Sequence, residues 1–247
     1  MDFVLELDRV SRRYGSGDTA TMALDEVSLD VTAGSFVAVM GATGSGKSTL
    51  LHCAAGLDHP SGGRVRLAGQ DITRMRESRL TRLRRDRVGF VFHSYNLLSE
   101  LTVAQNVLLP QRLGGPAVRS LTHVLDAVGL SGTEGRPVGE LSGGQRQRVA
   151  VARALASDPT VIFADEPTGA LDPTTGSQIL GLLRAAVDTQ QVGVIMVTHD
   201  PLAAAVSDRL VFLRNGRVAG DGPTPDGAAI AEQLRAVSNI NEHRVYR

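Results

Sequence analysis

Residues 36–49 constrain the fold more than any other part of this 247-residue chain. They begin with a short apolar run typical of a buried strand, continue into a glycine-rich loop and end in a sequence suited to a helix. Glycine permits backbone turns closed to other residues, so successive N–H groups can point into one concavity. The segment therefore predicts a phosphate-binding strand–loop–helix unit. Its predicted nucleotide contacts are Gly41, Ala42, Thr43, Gly44, Ser45, Gly46, Lys47, Ser48 and Thr49.

Lys47 is the only lysine of the chain, and every other strongly basic side chain is arginine. A lysine kept in such a chain indicates a site that needs a compact ammonium group and not a planar guanidinium. We expect Lys47 to contact the β- and γ-phosphates of a nucleotide, while the Ser48 hydroxyl completes the shell of a magnesium ion. The alternative is a glycine-rich turn before a helix without a ligand.

A second buried-strand pattern, at residues 161–164, ends in two adjacent acids, Asp165 and Glu166. Two neighbouring carboxylates repel each other unless a cation lies close to them. We therefore predict a magnesium-linked role for Asp165 and a water-polarising role for Glu166. Taken without its context, the pair is equally compatible with a solvated strand end.

Five motifs follow one another as they do in the ATP-binding cassette (ABC) ATPases, and the chain resembles this family from about residue 3 to residue 222. They are the phosphate loop, the signature Leu141, Ser142, Gly143, Gly144 and Gln145, the acidic strand end, residues 169–172 and residues 198–200. Ser142 suits the N-cap of a helix predicted over residues 146–157. The two glycines after it leave the first N–H groups open to a phosphate.

The resemblance implies roles for single residues. Tyr14 resembles the aromatic residue that stacks on adenine, although a half-buried strand tyrosine is the alternative. Asp165 resembles the magnesium-linked acid, and Glu166 resembles the general base. Asp172 resembles the residue that communicates across a dimer, and His199 the switch histidine at the γ-phosphate. The predicted catalytic group is Lys47, His93, Glu166 and His199, and the predicted metal ligands are Ser48 and Asp165.

His93 departs from the family pattern, which has a glutamine after the strand predicted at residues 88–92. Magnesium prefers oxygen ligands, so an imidazole nitrogen is a poorer ligand for it. We expect His93 to act as a hydrogen-bonding element of the hinge with a modest effect on turnover. An imidazolium near magnesium is unfavourable, so we also expect weaker activity at mildly acidic pH.

The order of apolar runs and helical patterns, together with the resemblance, predicts an α/β fold. We expect a RecA-like P-loop core with an N-terminal antiparallel β patch and an inserted α-helical subdomain. The predicted strands cover residues 4–7, 22–31, 63–69, 88–92, 161–164, 192–197 and 209–213. The arginine-rich stretch 74–87, with Leu80 and Leu83 on one helix face, is predicted to turn its arginines outward. That face is either simply solvated or meets a membrane partner or lipid headgroups.

We predict one ABC ATPase domain over residues 1–223, with a core of residues 1–93 and 159–223 and a helical subdomain of residues 94–158. Residues 224–247 are predicted to form a C-terminal helix and tail. Asp226 is expected to cap that helix, which buries Ile230, Leu234 and Val237, and little order is expected beyond Asn239.

Composition limits the function classes. The formal net charge of zero gives no indication of nucleic-acid binding. No apolar run approaches the roughly 18 residues that span a bilayer, and the N-terminus lacks the pattern of a signal peptide. The single cysteine, Cys53, cannot form an internal disulfide and is expected to pack in a reducing compartment. These observations agree with a cytoplasmic globular subunit. The resemblance to the ABC ATPases implies a location at the cytoplasmic face of the cell membrane, peripheral through a membrane partner.

The resemblance implies ATP and Mg2+ as cofactors and a second copy of the chain as an ATP-dependent partner. In such a homodimer, Lys47 of one copy faces Ser142 of the other. ATP binding closes the dimer and hydrolysis releases it, which drives a separate transmembrane permease chain in export or mechanical coupling. Residues 56–58, 94–98 and 141–154 are most similar to the branch of lipoprotein-release, macrolide-export and cell-division ATPases. The alternatives are a non-transport ABC ATPase and a weakly hydrolysing regulatory cassette.

Overall fold

The chain folds into two β-sheets with helices packed around them. In the computed structural model, residues 2–118 and 120–239 are described, and these contain ten strands. The strands are β1 (Phe3–Tyr14), β2 (Thr21–Thr32), β3 (Phe36–Met40), β4 (Gly62–Leu67), β5 (Gln70–Asp71), β6 (Val88–Phe92), β7 (Val161–Asp165), β8 (Gly193–Thr198), β9 (Arg209–Arg214) and β10 (Arg217–Pro223). One sheet has the order β2-β1-β4-β5 and the other β10-β9-β3-β8-β7-β6.

Helices separate most of these strands along the chain. Within the described residues they are α1 (Lys47–Ala54), α2 (Glu77–Arg87), α3 (Val103–Val107), α4 (Leu109–Arg112), α5 (Leu121–Ala127), α6 (Gly143–Leu155), α7 (Pro173–Gln190), α8 (Pro201–Ala204) and α9 (Gly227–Asn239). The alternation of strands and helices confirms the predicted α/β class.

The larger sheet brings the predicted site segments to one edge. Its strands β9, β3, β8, β7 and β6 run parallel, and β10 pairs antiparallel with β9. Every residue of β3 and β8 is buried, which suits continuous apolar runs in a covered parallel sheet. The carboxyl ends of parallel strands share one edge. The loop after β3, the acids after β7 and the residues after β8 are therefore neighbours.

Strand β3 contributes to two hydrophobic clusters among the described residues. Phe36, Ala38 and Met40 pack into the cluster that contains residues of α3, α5, α6 and α7. Val37 and Val39 pack into the opposite cluster, which contains residues of the antiparallel sheet, α1 and α2. Because successive strand residues point to opposite faces, one apolar run anchors both layers.

The antiparallel sheet is more extensive than predicted. Strand β1 extends to Tyr14, whereas the alternation of apolar residues indicated a strand at residues 4–7. Arg9 has φ 46°, and the register with β2 shifts between Leu7 and Val10. Such a bulge interrupts the period-2 pattern without ending the strand. Strand β10 was also not predicted. Its sequence has small residues at positions where a strand pattern has large apolar ones.

The helices of residues 94–158 include α6, which begins earlier than predicted. It covers Gly143–Leu155 and not residues 146–157, because both signature glycines lie in its first turn. In α2, Leu80 and Leu83 are buried as predicted. Arg84 contradicts the prediction that the arginines of this stretch point outward. Its guanidinium donates to the Gly56 carbonyl and pairs with Glu77.

The C-terminal helix α9 follows the predicted pattern where the structure describes it. The Asp226 carboxylate accepts a hydrogen bond from Ala229 N at 2.9 Å, and Ile230 is fully buried. Leu234 packs against the same cluster. The side chain of Val237 and the residues beyond Asn239 lie outside the described residues. No helix in the described ranges has the length and apolar character needed to cross a bilayer.

Candidate functional site

The loop between β3 and α1 adopts a conformation that requires glycine. Gly44 and Gly46 have φ angles of 80° and 105°. A Cβ atom on Gly46 would lie 2.4 Å from the Ala23 carbonyl oxygen, and one on Gly41 would lie 2.2 Å from the Leu213 carbonyl oxygen. Side chains at these two positions would therefore displace the backbone that supports the loop.

Helix α1 begins at Lys47 with free backbone donors. In the described part of the chain, the N–H groups of Lys47, Ser48 and Thr49 have no acceptor. Lys47 Nζ donates to the carbonyl oxygens of Gly41 at 2.7 Å and Ala42 at 3.0 Å. Burial lowers the pKa of Lys47. Free N–H groups, the positive end of a helix and an ammonium group together make a site for a phosphate.

The turn between β9 and β10 braces this loop from outside. Gly216 N donates to the Ser45 carbonyl oxygen at 2.9 Å, and Asp25 N donates to the Gly216 carbonyl oxygen at 2.8 Å. A Cβ atom on Gly216 would lie 2.7 Å from the Ala23 carbonyl oxygen. The phosphate loop is thus hydrogen-bonded to the β9–β10 turn, which is itself hydrogen-bonded to β2.

Asp165 ends β7 in a partly desolvated position. Burial raises the pKa of Asp165, and the nearby Glu166 carboxylate adds to this effect. His52, His93 and Lys47 lie close enough to act in the opposite direction. Burial and repulsion by Glu166 both disfavour the ionised form of this carboxylate. A bound cation would offset both effects, so Asp165 fits an oxygen ligand for a cation.

Glu166 is held by two side chains from the end of β8. Its Oε1 lies 2.8 Å from His199 Nδ1, and its Oε2 accepts a hydrogen bond from Thr198 Oγ1 at 3.1 Å. Glu166 N donates to the Val197 carbonyl oxygen at 3.0 Å, and Glu166 has φ 45°. The backbone hydrogen bond holds Glu166 in an uncommon conformation, and Thr198 and His199 hold its side chain. The carboxylate therefore points in a defined direction.

His93 follows β6, as the sequence predicted, and packs against Gly169. A Cβ atom on Gly169 would lie 2.8 Å from His93 Nδ1. The His93 side chain forms no hydrogen bond with any residue that the structure describes. The hydrogen-bonding role of His93 therefore stays a prediction.

The signature and Asp172 lie together at the adjoining ends of α6 and α7. Ser142 Oγ accepts a hydrogen bond from Gln145 N at 3.3 Å, and Gln145 Oε1 accepts one from Ser142 N at 3.0 Å, which confirms the predicted N-cap. A Cβ atom on Gly144 would lie 2.5 Å from Thr175 Cγ2. Asp172 caps α7, and hydrogen bonds from Thr175 hold the pKa of Asp172 below its usual range.

Comparison with known proteins decides the family. The sequence profile described as "ABC transporter" matches residues 24–169, which is more than half of the chain. The chain belongs to the ABC transporter family. It is thus an ABC ATPase, and the family and enzyme class predicted from the motifs are confirmed.

Proteins and structures similar to the cassette give the same result. The cassette is 40% identical over 248 residues to the "Macrolide export ATP-binding/permease protein MacB" of Photorhabdus laumondii. This alignment covers 99% of this chain and 38% of that protein. Identity to the MacB protein of Burkholderia thailandensis is 44% over 236 residues, covering 92% of this chain and 36% of that protein. The cassette thus spans less than two fifths of the length of these relatives. The match confirms the predicted similarity to the branch that contains lipoprotein-release, macrolide-export and cell-division ATPases.

Two solved structures share the fold. The ATP-binding cassette MJ0796, in a dimeric post-hydrolysis state bound to ADP and Pi, is 36% identical with a TM-score of 0.81 and covers 90% of this chain and 99% of that one. CbiO1 of Clostridium perfringens, part of the ABC transporter complex cbiONQ, is 29% identical with a TM-score of 0.80. The match covers 99% of this chain and 98% of CbiO1.

Several contacts within the cassette site gave no signal in the sequence. Gln147 is fully buried, and its Nε2 donates to the Pro167 carbonyl oxygen at 2.7 Å, next to Glu166. Thr198 supports Glu166, and Asp58 accepts a hydrogen bond from Tyr14 Oη. Each of these contacts joins residues at least 20 positions apart, so no local pattern indicates them.

Proposed function

We propose that the cassette binds ATP with Mg2+ and hydrolyses the nucleotide as one half of a symmetric dimer, which drives a separate transmembrane permease chain. One observation supports this most directly. The Glu166 carboxylate, fixed by Thr198 and His199, lies beside Asp165 and within electrostatic range of Lys47 in the phosphate loop. A general base, a cation ligand and a phosphate-binding ammonium group therefore share one edge of the sheet.

The phosphate loop supplies most of the binding. We assign residues 41–49 to the nucleotide, with the free N–H groups of Lys47, Ser48 and Thr49 on phosphate oxygens. The Lys47 ammonium group is assigned to the β- and γ-phosphates. On binding, Lys47 exchanges the carbonyl oxygens of Gly41 and Ala42 for phosphate oxygens. Tyr14, 40% exposed at the end of β1, is assigned to the base.

A magnesium ion fits the oxygen ligands that the site offers. We assign the Ser48 hydroxyl and the Asp165 carboxylate to it, since both are hard oxygen donors. When bound with the nucleotide, magnesium neutralises negative charge on the phosphate oxygens. The raised pKa of Asp165 supports this assignment, because an ionised buried carboxylate is stabilised by a nearby cation.

The reaction is assigned to Glu166 and His199. Glu166 orients the attacking water and accepts its proton, a role that requires a carboxylate with a fixed direction. His199, which now contacts Glu166 Oε1, is assigned to the γ-phosphate. His93 remains in the catalytic group as a residue close to Asp165 with a modest effect on turnover.

Two copies of the chain are needed to complete this site. In the described residues, neither Ser142 nor Asp172 forms a hydrogen bond or ion pair with the phosphate loop. We therefore assign the signature, Leu141 to Gln145, to the nucleotide held by the partner copy, and Asp172 to communication between the two sites. The dimeric state of the similar MJ0796 cassette supports this arrangement.

The names of the relatives support a membrane partner for the cassette. The MacB proteins are named as ATP-binding and permease proteins, and the cassette matches less than two fifths of their length. We infer a separate permease chain, a location at the cytoplasmic face of the membrane, and export or mechanical coupling as the process. We also infer that residues 94–158 move as a helical subdomain against a core of residues 1–93 and 159–223. An intact Glu166–His199 pair argues against a regulatory cassette without turnover.

Two variants test the proposal with purified protein. Lys47→Ala should abolish ATP binding and hydrolysis. Glu166→Gln should keep ATP binding, lower hydrolysis at least about a hundredfold and accumulate an ATP-bound dimer in size-exclusion chromatography with light scattering. Glu100→Gln, which alters an exposed glutamate bonded to Ser99, is the matched control and should behave as the unmodified chain. A monomer under all ATP concentrations would refute the two-copy site, and unchanged affinity in Lys47→Ala would refute the phosphate loop.

A further inference from the structure

A carboxylate that none of the motifs contains holds the tyrosine assigned to the nucleotide base. Asp58 Oδ2 accepts a hydrogen bond from Tyr14 Oη at 2.7 Å. The same oxygen accepts one from Arg12 Nε at 2.9 Å, and Asp58 Oδ1 lies 2.8 Å from an Arg12 terminal nitrogen. The Arg12 guanidinium also lies over the Tyr14 ring, 4.5 Å from its centroid. Asp58, Arg12 and Tyr14 therefore form one closed group.

The backbone fixes Asp58 beside the end of β1. Asp58 N donates to the His52 carbonyl oxygen at 3.2 Å, which ties it to the last turn of α1. A little further along, Ser61 N donates to the Ser11 carbonyl oxygen at 2.7 Å, and Arg13 N donates to Ser61 Oγ at 3.0 Å. The helix that starts at the phosphate loop is thereby connected at its far end to the strand that carries Tyr14.

The charges of the group strengthen these contacts. Burial acts to raise the pKa of Asp58, but the hydrogen bond from Tyr14 and the charge of Arg12 outweigh it and leave the pKa of Asp58 below its usual range. Contact with Tyr14, together with the charge of Asp58, raises the pKa of Arg12. An ionised acceptor makes the Tyr14 hydrogen bond shorter and stronger than a bond between neutral groups.

One face of the Tyr14 ring remains for a ligand. Arg12 covers one face and Asp58 engages the hydroxyl, yet the residue is 40% exposed. A tyrosine fixed at its hydroxyl and at one face loses little further freedom when a flat heteroaromatic group stacks on the other face. An unfixed tyrosine would have to be ordered by the ligand itself.

We propose that Asp58 is a positioning residue of the nucleotide site, which orients Tyr14 through its hydroxyl and holds Arg12 against the back of the ring, so that the open face receives the purine base. The inference rests on the proposed function, because it takes Tyr14 as the contact of the base. Asp58 then contributes to the part of the binding free energy that comes from the base. Its loss leaves the part that comes from the phosphates unchanged.

Two ligands separate these parts. Isothermal titration calorimetry with the full chain compares Mg·ADP, which has both a base and phosphates, with inorganic pyrophosphate, which has phosphates alone. Asp58→Ala and Tyr14→Phe should each weaken ADP binding about tenfold and leave pyrophosphate binding within about twofold. Because both variants break the same hydrogen bond, the double variant should bind ADP no more than about twofold more weakly than either single variant.

Conservative and control variants guard against a general loss of structure. Asp58→Asn keeps an acceptor for Tyr14 but loses the charge that holds Arg12, so it should weaken ADP binding less than Asp58→Ala. In steady-state hydrolysis, it should raise KM for ATP and leave kcat unchanged. Glu6→Ala, on the strand that carries Tyr14, removes an ion pair with Arg66 of β4 and should change neither affinity.

The outcomes distinguish this inference from the function on which it rests. If Tyr14→Ala weakens ADP binding while Asp58→Ala does not, the positioning role is wrong and the base site stands. Equal losses for ADP and pyrophosphate in Asp58→Ala would likewise overturn the positioning role, because they would indicate a distorted phosphate loop. If Tyr14→Ala leaves ADP affinity unchanged, the assignment of Tyr14 to the base is wrong and the positioning role of Asp58 is wrong with it. The phosphate loop and Glu166 are tested separately, by Lys47→Ala and Glu166→Gln.

Discussion

Replacement of Gln147 should separate stability from activity. Gln147 lies on α6 with no exposed surface, and its Nε2 donates to the carbonyl oxygen of Pro167, the residue after Glu166. Its other polar atom, Oε1, is buried without a partner in the described part of the chain. Gln147→Leu removes the hydrogen bond and the unpaired oxygen together and nearly preserves the side-chain volume.

The effect on stability is small because two terms of similar size oppose each other. Leaving the Pro167 carbonyl oxygen unpaired costs about 1–3 kcal/mol, and removing the unpaired Oε1 of Gln147 recovers a similar amount. The free energy of unfolding should therefore change by less than about 1 kcal/mol, which shifts Tm by at most about 2–4 °C in a protein of this size. Gln147→Ala also opens a cavity and should lower Tm further.

The effect on hydrolysis is larger, because Glu166 loses a support next to its own peptide. We expect kcat to fall about tenfold, which corresponds to about 1.4 kcal/mol of transition-state stabilisation. Calorimetric Tm and steady-state ATPase rates are measured on the same preparations. Gln178→Leu, at an exposed glutamine of α7 bonded to Arg148, is the matched control and should keep its kcat. An unchanged kcat in Gln147→Leu, or a fall in Tm of more than about 8 °C, would refute this reasoning.

Three further predictions concern single side chains. Asp165→Asn should raise Tm of the nucleotide-free protein at neutral pH. Burial raises the pKa of Asp165, so its stabilising contribution is complete below the unfolded value of about 4 and is lost as pH rises through the folded value. Calorimetry from pH 4 to pH 8 checks this, and a lower Tm for the variant at pH 7 contradicts it. His93→Gln should change the hydrolysis rate less than about tenfold, since the His93 side chain makes no hydrogen bond to the described residues; a change of several orders of magnitude rejects that view. Burial raises the pKa of Cys53 to about 12, so a thiol reagent at pH 8 should label it only after unfolding, and rapid labelling of the native chain counts against this.

The sequence predicts the site well where a motif ends a strand. Asp165 and Thr198 stand at the carboxyl ends of β7 and β8, and the phosphate loop follows β3, so parallel pairing alone brings them together. Helix caps such as Ser142 and Asp226 are local, since each bonds a backbone N–H three residues later. These features need no knowledge of the rest of the fold.

Features that depend on distant contacts were not predictable. Arg84 points inward because the Gly56 carbonyl lies within its reach, which nothing in the arginine-rich stretch indicates. The length of β1 was missed because Arg9 adopts a positive φ that an arginine seldom takes. The partnership of Asp58 with Tyr14 spans 44 positions, and periodicity carries no information at that range.

Two hydrogen bonds connect the phosphate loop to the rest of the fold: Gly216 N donates to the Ser45 carbonyl oxygen, and Asp25 N donates to the Gly216 carbonyl oxygen. They determine how far the effect of a bound nucleotide extends through the protein. A nucleotide that orders the phosphate loop should also stabilise the contact between the two sheets. The turn between β9 and β10 bonds both the loop and β2 of the antiparallel sheet. Occupancy should therefore protect the entire cassette against heat and proteolysis, and not merely its pocket. Conversely, a substitution at Asn215 or Gly216, in the turn that supports the loop from outside, should weaken nucleotide affinity.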